Sequence, residues 1–118
     1  MAKSFEEMQI WLESKNLTVQ IYTTLAACRD FGFKDQIQRA SVSIMNNIAE
    51  GFESGTNNMF VKYLNIAKGS CAEVRSMLIL AVELKYIEKN TSEDLIGKTL
   101  YISKGISKLI SYLNSQIK

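Results

Sequence analysis

The sequence predicts an all-α fold, an antiparallel up-down-up-down four-helix bundle. Three features lead there. Four long stretches carry apolar residues at alternating spacings of three and four, the period of a helix with a buried face. No stretch shows the strict alternation of a half-buried strand. The links are short and the chain has no proline, so successive helices turn back on one another and none is broken on that account. With 118 residues, 47% hydrophobic and 22% charged, the chain reads as one domain over residues 1–118, long enough to bury a core.

Helix one opens on a capping box, Ser4 with Glu7 three residues later. Its polar strip is Glu6, Gln9, Glu13, Asn16 and Gln20. One apolar flank holds Phe5, Met8, Leu12, Val19 and Tyr22, the other Ile10, Leu17, Ile21, Leu25 and Cys28, with Trp11 between them. The helix is expected to stop at Gly32, with Arg29 favouring the negative dipole end.

Helix two is expected from Lys34 to Ser54, stopped by Gly55, with Thr56 capping the next helix. Wound at roughly 100° per residue, it shows two apolar stripes. Ile37, Ala40, Ile44 and Ile48 make one; Val42, Met45, Ala49 and Phe52 make the other. Together they span about 200°, twice what an ordinary surface helix shows to one core. Such a helix has two surfaces to cover. The second stripe, with Trp11, is therefore the candidate interface of a homo-oligomer.

Helix three, Asn57 to Leu84, has the core stripe Phe60, Leu64, Ala67, Cys71, Val74, Leu78 and Ala81. The small residues Gly69, Ser70, Cys71 and Ala72 predict a close backbone approach near Gly51. After the connection Lys85–Lys89, Asn90 with Glu93 makes a second capping box. Helix four then spaces Leu95, Thr99, Ile102, Ile106, Leu109 and Leu113 four and three apart.

Catalytic chemistry finds no support in these residues. There is no histidine, and Cys28 and Cys71 both fall on apolar helical faces, as reduced buried thiols do. Glu6-Glu7 and Glu93-Asp94 sit in first turns, where capping explains them. No glycine-rich phosphate loop is present. Ser41, Ser43 and Asn47 lack a base, and hydrogen bonds across the bundle are their simplest role. Arg39 and Glu50 lie about three turns apart on helix two. Ion pairs with other helices account for them more simply than ligand contacts. The reading is of a non-enzyme with no metal and no cofactor.

Charge points to helix four. Residues 1–84 hold eight Lys and Arg against nine Asp and Glu, residues 85–118 six against three. Lys98, Lys104 and Lys108 project within about 120° of one another, with Tyr101 and Tyr112 between them. Lysines contact phosphates and tyrosines stack on bases, the combination of a weak, sequence-tolerant nucleic-acid surface. A solvated lysine face with snorkelling side chains explains the same pattern, and for one subunit is the simpler account. A ring of subunits would repeat the patch and make weak contacts avid. The segment Met1–Glu7 is polar and no run approaches 18 apolar residues, so a soluble, cytoplasmic protein is expected.

Several of these stretches are familiar together. QIQRASVSIMNNIAEG (Gln36–Gly51), the opening Phe5 and Trp11, FVKYLNIAKGSCAE (Phe60–Glu73) and Tyr86-Ile87 resemble, in order and spacing, the small four-helix-bundle proteins of intervening sequences in bacterial 23S rRNA genes. The resemblance implies an up-down bundle assembled into a homopentameric ring. It also implies kinship with accessory proteins of diversity-generating retroelements, which bind a reverse transcriptase and nucleic acid. Most members have no established activity. Three residues depart from the pattern. Met45 stands where many members have proline, Lys85 where a glycine usually ends helix three, and Gln38-Arg39 replaces a frequent Arg-Arg pair. The leading expectation is a self-assembling accessory or scaffold protein that meets RNA or DNA through helix four. The alternative is a homo-oligomeric protein-binding module with no nucleic-acid affinity.

Overall fold

The computed structural model describes residues 2–117. A 3₁₀ turn, Phe5–Glu7, precedes four helices: α1 Gln9–Thr24, α2 Phe31–Glu53, α3 Asn57–Glu83 and α4 Lys89–Gln116. Each helix packs on its neighbours in sequence, and α1 meets α4 to close the bundle. Side-chain contacts give the directions. Thr18 bonds the Ser41 carbonyl while Lys34 reaches back to Ala26. Ser43 meets Ser70 and Gln36 meets Glu73, Ser92 bonds the Leu78 carbonyl while Leu113 lines one depression with Asn57 and Phe60, and Gln20 meets Lys98 where Ile10 meets Gly105. All four neighbouring pairs run antiparallel.

The core follows the stripes expected from periodicity on α2, α3 and α4, except that Leu109 is only half-buried. Ile37, Ala40, Ile44 and Ile48 of α2 are buried, as are Phe60, Leu64, Ala67, Cys71, Val74, Leu78 and Ala81 of α3. Leu95, Thr99, Ile102, Ile106 and Leu113 line α4, and Leu17 and Ile21 complete the packing from α1. Buried hydroxyls are satisfied locally. Ser14 and Thr18 donate to carbonyls one turn back at 2.6 and 2.9 Å, which keeps them from opposing the apolar packing.

The helix ends depart from expectation in three places. Ser4 is extended and caps nothing; its hydroxyl meets the Glu7 carboxylate at 3.4 Å, and α1 proper starts only after Met8. The first helix also ends earlier, at Thr24, because Asp30 opens α2: its carboxylate accepts from Phe33 N at 3.1 Å. Gly32 is thus the second residue of α2 and not a stop. Asn90, likewise, lies inside α4, whose N-cap is Glu88.

The α2–α3 junction agrees with the sequence reading. Gly55 takes φ +93°, and the Thr56 hydroxyl accepts from Met59 N at 3.2 Å. At the end of α3 Lys85 itself adopts φ 62°, in place of the usual glycine. Tyr86 N bonds Ala81 O at 2.8 Å and Lys85 N bonds Val82 O at 3.0 Å, the paired bonds of a Schellman turn.

Close approach occurs, but not at Gly69. A β-carbon built there meets nothing within 4 Å, because Gly69 faces outward. At Gly51 it would lie 2.8 Å from the Phe60 ring and 2.9 Å from Tyr63 Cβ. At Gly105 it would lie 2.6 Å from Ile10 Cγ2. These two glycines set the α2–α3 and α1–α4 spacings.

Candidate nucleic-acid interface

Lysine and tyrosine positions on α4 are fixed by the burial of Ile102, Ile106 and Leu113, which turns the opposite side of the helix outward. Tyr101 and Tyr112 are 56% and 51% exposed, and Lys104 and Lys108 are exposed. Neither lysine enters an ion pair among the described residues. Tyr101, Lys104 and Lys108 come together around one depression of about 350 Å³, completed by Gln9 and Ile10 of α1 and by Gly105. Lys98 is set apart. It is half-buried and donates from Nζ to Gln20 Oε1 at 2.7 Å, so its charge is engaged within the α1–α4 seam. Tyr112 lies further along the helix, outside the depression.

Gln9, Ile10, Gly105 and Gln20 were not singled out in the sequence for this role. Period alone places residues on a face of one helix; which α1 residues stand opposite depends on the register between α1 and α4. A glycine on the polar side of an amphipathic helix was the one available signal.

The candidate oligomer interface is less exposed than its stripes suggest. Trp11, Val42, Met45, Ala49 and Phe52 are all half-buried within one subunit. The Trp11 ring meets Phe5 edge-on at 5.2 Å, with Lys15 Nζ 5.8 Å from its centroid. Phe52 meets Phe60 edge-on at 6.1 Å. The most open apolar side chains lie elsewhere: Phe31 at 69%, Val19 at 59% and Ile79 at 57%.

Of the polar residues on α2, Arg39 pairs with Asp35 of its own helix at 2.8 Å, not with another helix. Glu50 is exposed and enters no ion pair among the described residues. Both ends of that expectation are therefore corrected: a helix that leaves this strip to solvent has no need to pair it across the bundle. Ser43 and Asn47 do form a network, Ser43 with Ser70 at 2.9 Å and Asn47 Nδ2 with Ser43 O at 2.8 Å. All four line one shallow depression with Tyr22.

Two titrating sites stand out, neither in the α4 depression. Burial pushes the Cys71 thiol up to about 12, leaving it protonated and inert near neutrality. Cys28 is likewise a free thiol, half-buried. The hydrogen bond from Tyr86 lowers the pKa of Asp30, helped by Phe33 N, and the same bond raises Tyr86 to about 12. No helix among the described residues is long and apolar enough to cross a membrane.

A family model described as "23S rRNA-intervening sequence protein" matches residues 6–108. The chain belongs to that family. The family assignment agrees with the resemblance carried by Gln36–Gly51 and Phe60–Glu73. Among solved structures, the chain is similar to a protein of unknown function from the S23 ribosomal protein family of Bacteroides thetaiotaomicron, with a TM-score of 0.80 and 27% identity. The match covers 86% of this chain and 97% of that one. No curated protein matches.

Proposed function

We propose that this family member is a non-enzymatic, self-associating helical bundle, an accessory or scaffold protein of the cytoplasm whose α4 face holds RNA or DNA weakly and without sequence preference. One observation carries the reading: Tyr101, Lys104 and Lys108 surround one depression, and neither lysine has an acidic partner among the described residues. Cations left without ion pairs beside an exposed ring suit a phosphate backbone with unpaired bases. Self-association is supported by the apolar side chains open to solvent on α1, α2 and α3 and by the half-covered second stripe of α2. Repetition of a two-lysine patch around an assembly raises its avidity without any new contact. The kinship with retroelement accessory proteins that the resemblance implies adds a reverse transcriptase, or another protein, as a partner to test for this scaffold.

The test is a salt titration of binding to mixed RNA, read by fluorescence anisotropy. Affinity should fall steeply between about 50 and 200 mM salt, and the pair Lys104→Glu and Lys108→Glu should abolish it. Lys98→Glu should act more weakly, because Lys98 is held by Gln20. Undetectable binding at low salt would favour a purely protein-binding oligomer.

A further inference from the structure

The depression between α1 and α4 narrows the nucleic acid this face would take. Its walls are Gln9 and Ile10 on one side and Tyr101, Lys104 and Lys108 on the other, and its floor includes Gly105. Gly105 lets the helices close there: Ile10 Cγ2 packs 2.6 Å from where a β-carbon would lie, so the depression is bounded below by Ile10 and Gly105. The cavity measures about 350 Å³, ample for one planar ring beside Tyr101. We infer that the α4 face selects single-stranded over duplex nucleic acid, by stacking an unpaired base on Tyr101 while Lys104 and Lys108 hold the adjoining phosphates. The inference rests on the nucleic-acid reading proposed above and specifies its ligand.

Single strands and duplexes differ in what they offer the two side-chain types. A duplex keeps its bases stacked and presents phosphates to the lysines alone, so Tyr101 gains nothing from it. An unpaired base can cover the ring, a contact worth about 1–3 kcal/mol by alanine substitution. At roughly tenfold per 1.4 kcal/mol, that contact favours single strands by about 5- to 100-fold. Tyr112 is also half exposed and lies about three helical turns along α4, so it can stack a second base of the same strand without reading sequence. An acidic group stands near the rim: the Glu13 carboxylate accepts at 3.0 Å from Nε2 of Gln9, which lines the depression.

The test measures anisotropy of a labelled 20-nucleotide oligo(dT) and of a blunt 20-base-pair duplex, on the full chain at 50 mM salt. The expected result is at least about fivefold tighter binding of the single strand. Tyr101→Ala should remove that preference while leaving duplex affinity unchanged, and Tyr101→Phe should keep it. Glu13→Gln should tighten both ligands. Equal or tighter duplex binding, or a preference that survives Tyr101→Ala, overturns the inference and leaves the nucleic-acid reading standing. Binding of neither ligand overturns both.

Discussion

The Tyr86 hydroxyl donates to Asp30 Oδ2 at 2.6 Å and so ties the α3–α4 connection to the α1–α2 connection. The other carboxylate oxygen of Asp30 caps α2 through Phe33 N, and the Phe33 ring meets the Tyr86 ring edge-on at 5.2 Å. One aspartate thus starts a helix and fastens two loops at the same end of the bundle.

The directions of the two shifts give this contact a pH signature. Asp30 is held below its ordinary value of 3.8, so its contribution is present above that value and is lost as pH falls through the folded-state pKa. Tyr86 is raised from 10.0 to about 12, so its contribution is complete below 10 and is lost as pH rises toward 12. Thermal melts of Tyr86→Phe should show a deficit against the parent near neutrality. That deficit should shrink below pH 3.8 and again above pH 10. Parallel curves at every pH would mean that the bond is not made in solution.

Lys85 occupies the left-handed turn that closes α3. For a residue with a β-carbon this conformation costs about 1–2 kcal/mol, and glycine avoids most of that while loosening the unfolded chain. Lys85→Gly should raise stability by roughly 0.5–1 kcal/mol, read from the urea midpoint at constant slope. A loss of stability would place the end of α3 in another conformation.

Glycines 51 and 69 should respond in opposite directions to alanine. At Gly51 the new methyl meets the Phe60 ring and Tyr63 Cβ at 2.8 and 2.9 Å, so α2 and α3 must part, at a cost of about 1–3 kcal/mol. Gly69 lies inside α3 with open space around it, so alanine there should stabilise by roughly 1 kcal/mol through helix propensity. Chemical denaturation of the two variants checks both signs.

The buried stripes of α2, α3 and α4 were legible because the helical period reports directly which side of a helix avoids water. Helix starts were less so. Gly32 reads as a stop, but Asp30 two residues before it caps Phe33 N and opens α2 instead. The Asn90–Glu93 pattern fitted a capping box, yet the tight turn at Lys85 brings the chain into α4 before Asn90 is reached. Glycine roles depend on a neighbour's register, which explains why Gly69 looked like the contact and Gly51 and Gly105 make it. The same limit applies to the α4 face. Tyr101, Lys104 and Lys108 were grouped correctly by spacing, whereas the withdrawal of Lys98 depends on Gln20, seventy-eight residues away in the chain. Width of apolar surface was a weaker guide: Phe5 and Phe60 cover part of Trp11 and Phe52 inside one subunit.

Avidity at α4 rests on association between copies, and the molar mass of the purified full chain is its sharpest test. Multi-angle light scattering at micromolar concentration should return a multiple of 13.3 kDa, falling toward that value when Val42→Glu and Ala49→Glu are combined. A mass of 13.3 kDa for the parent chain would refute self-association and, with it, the repeated lysine patch.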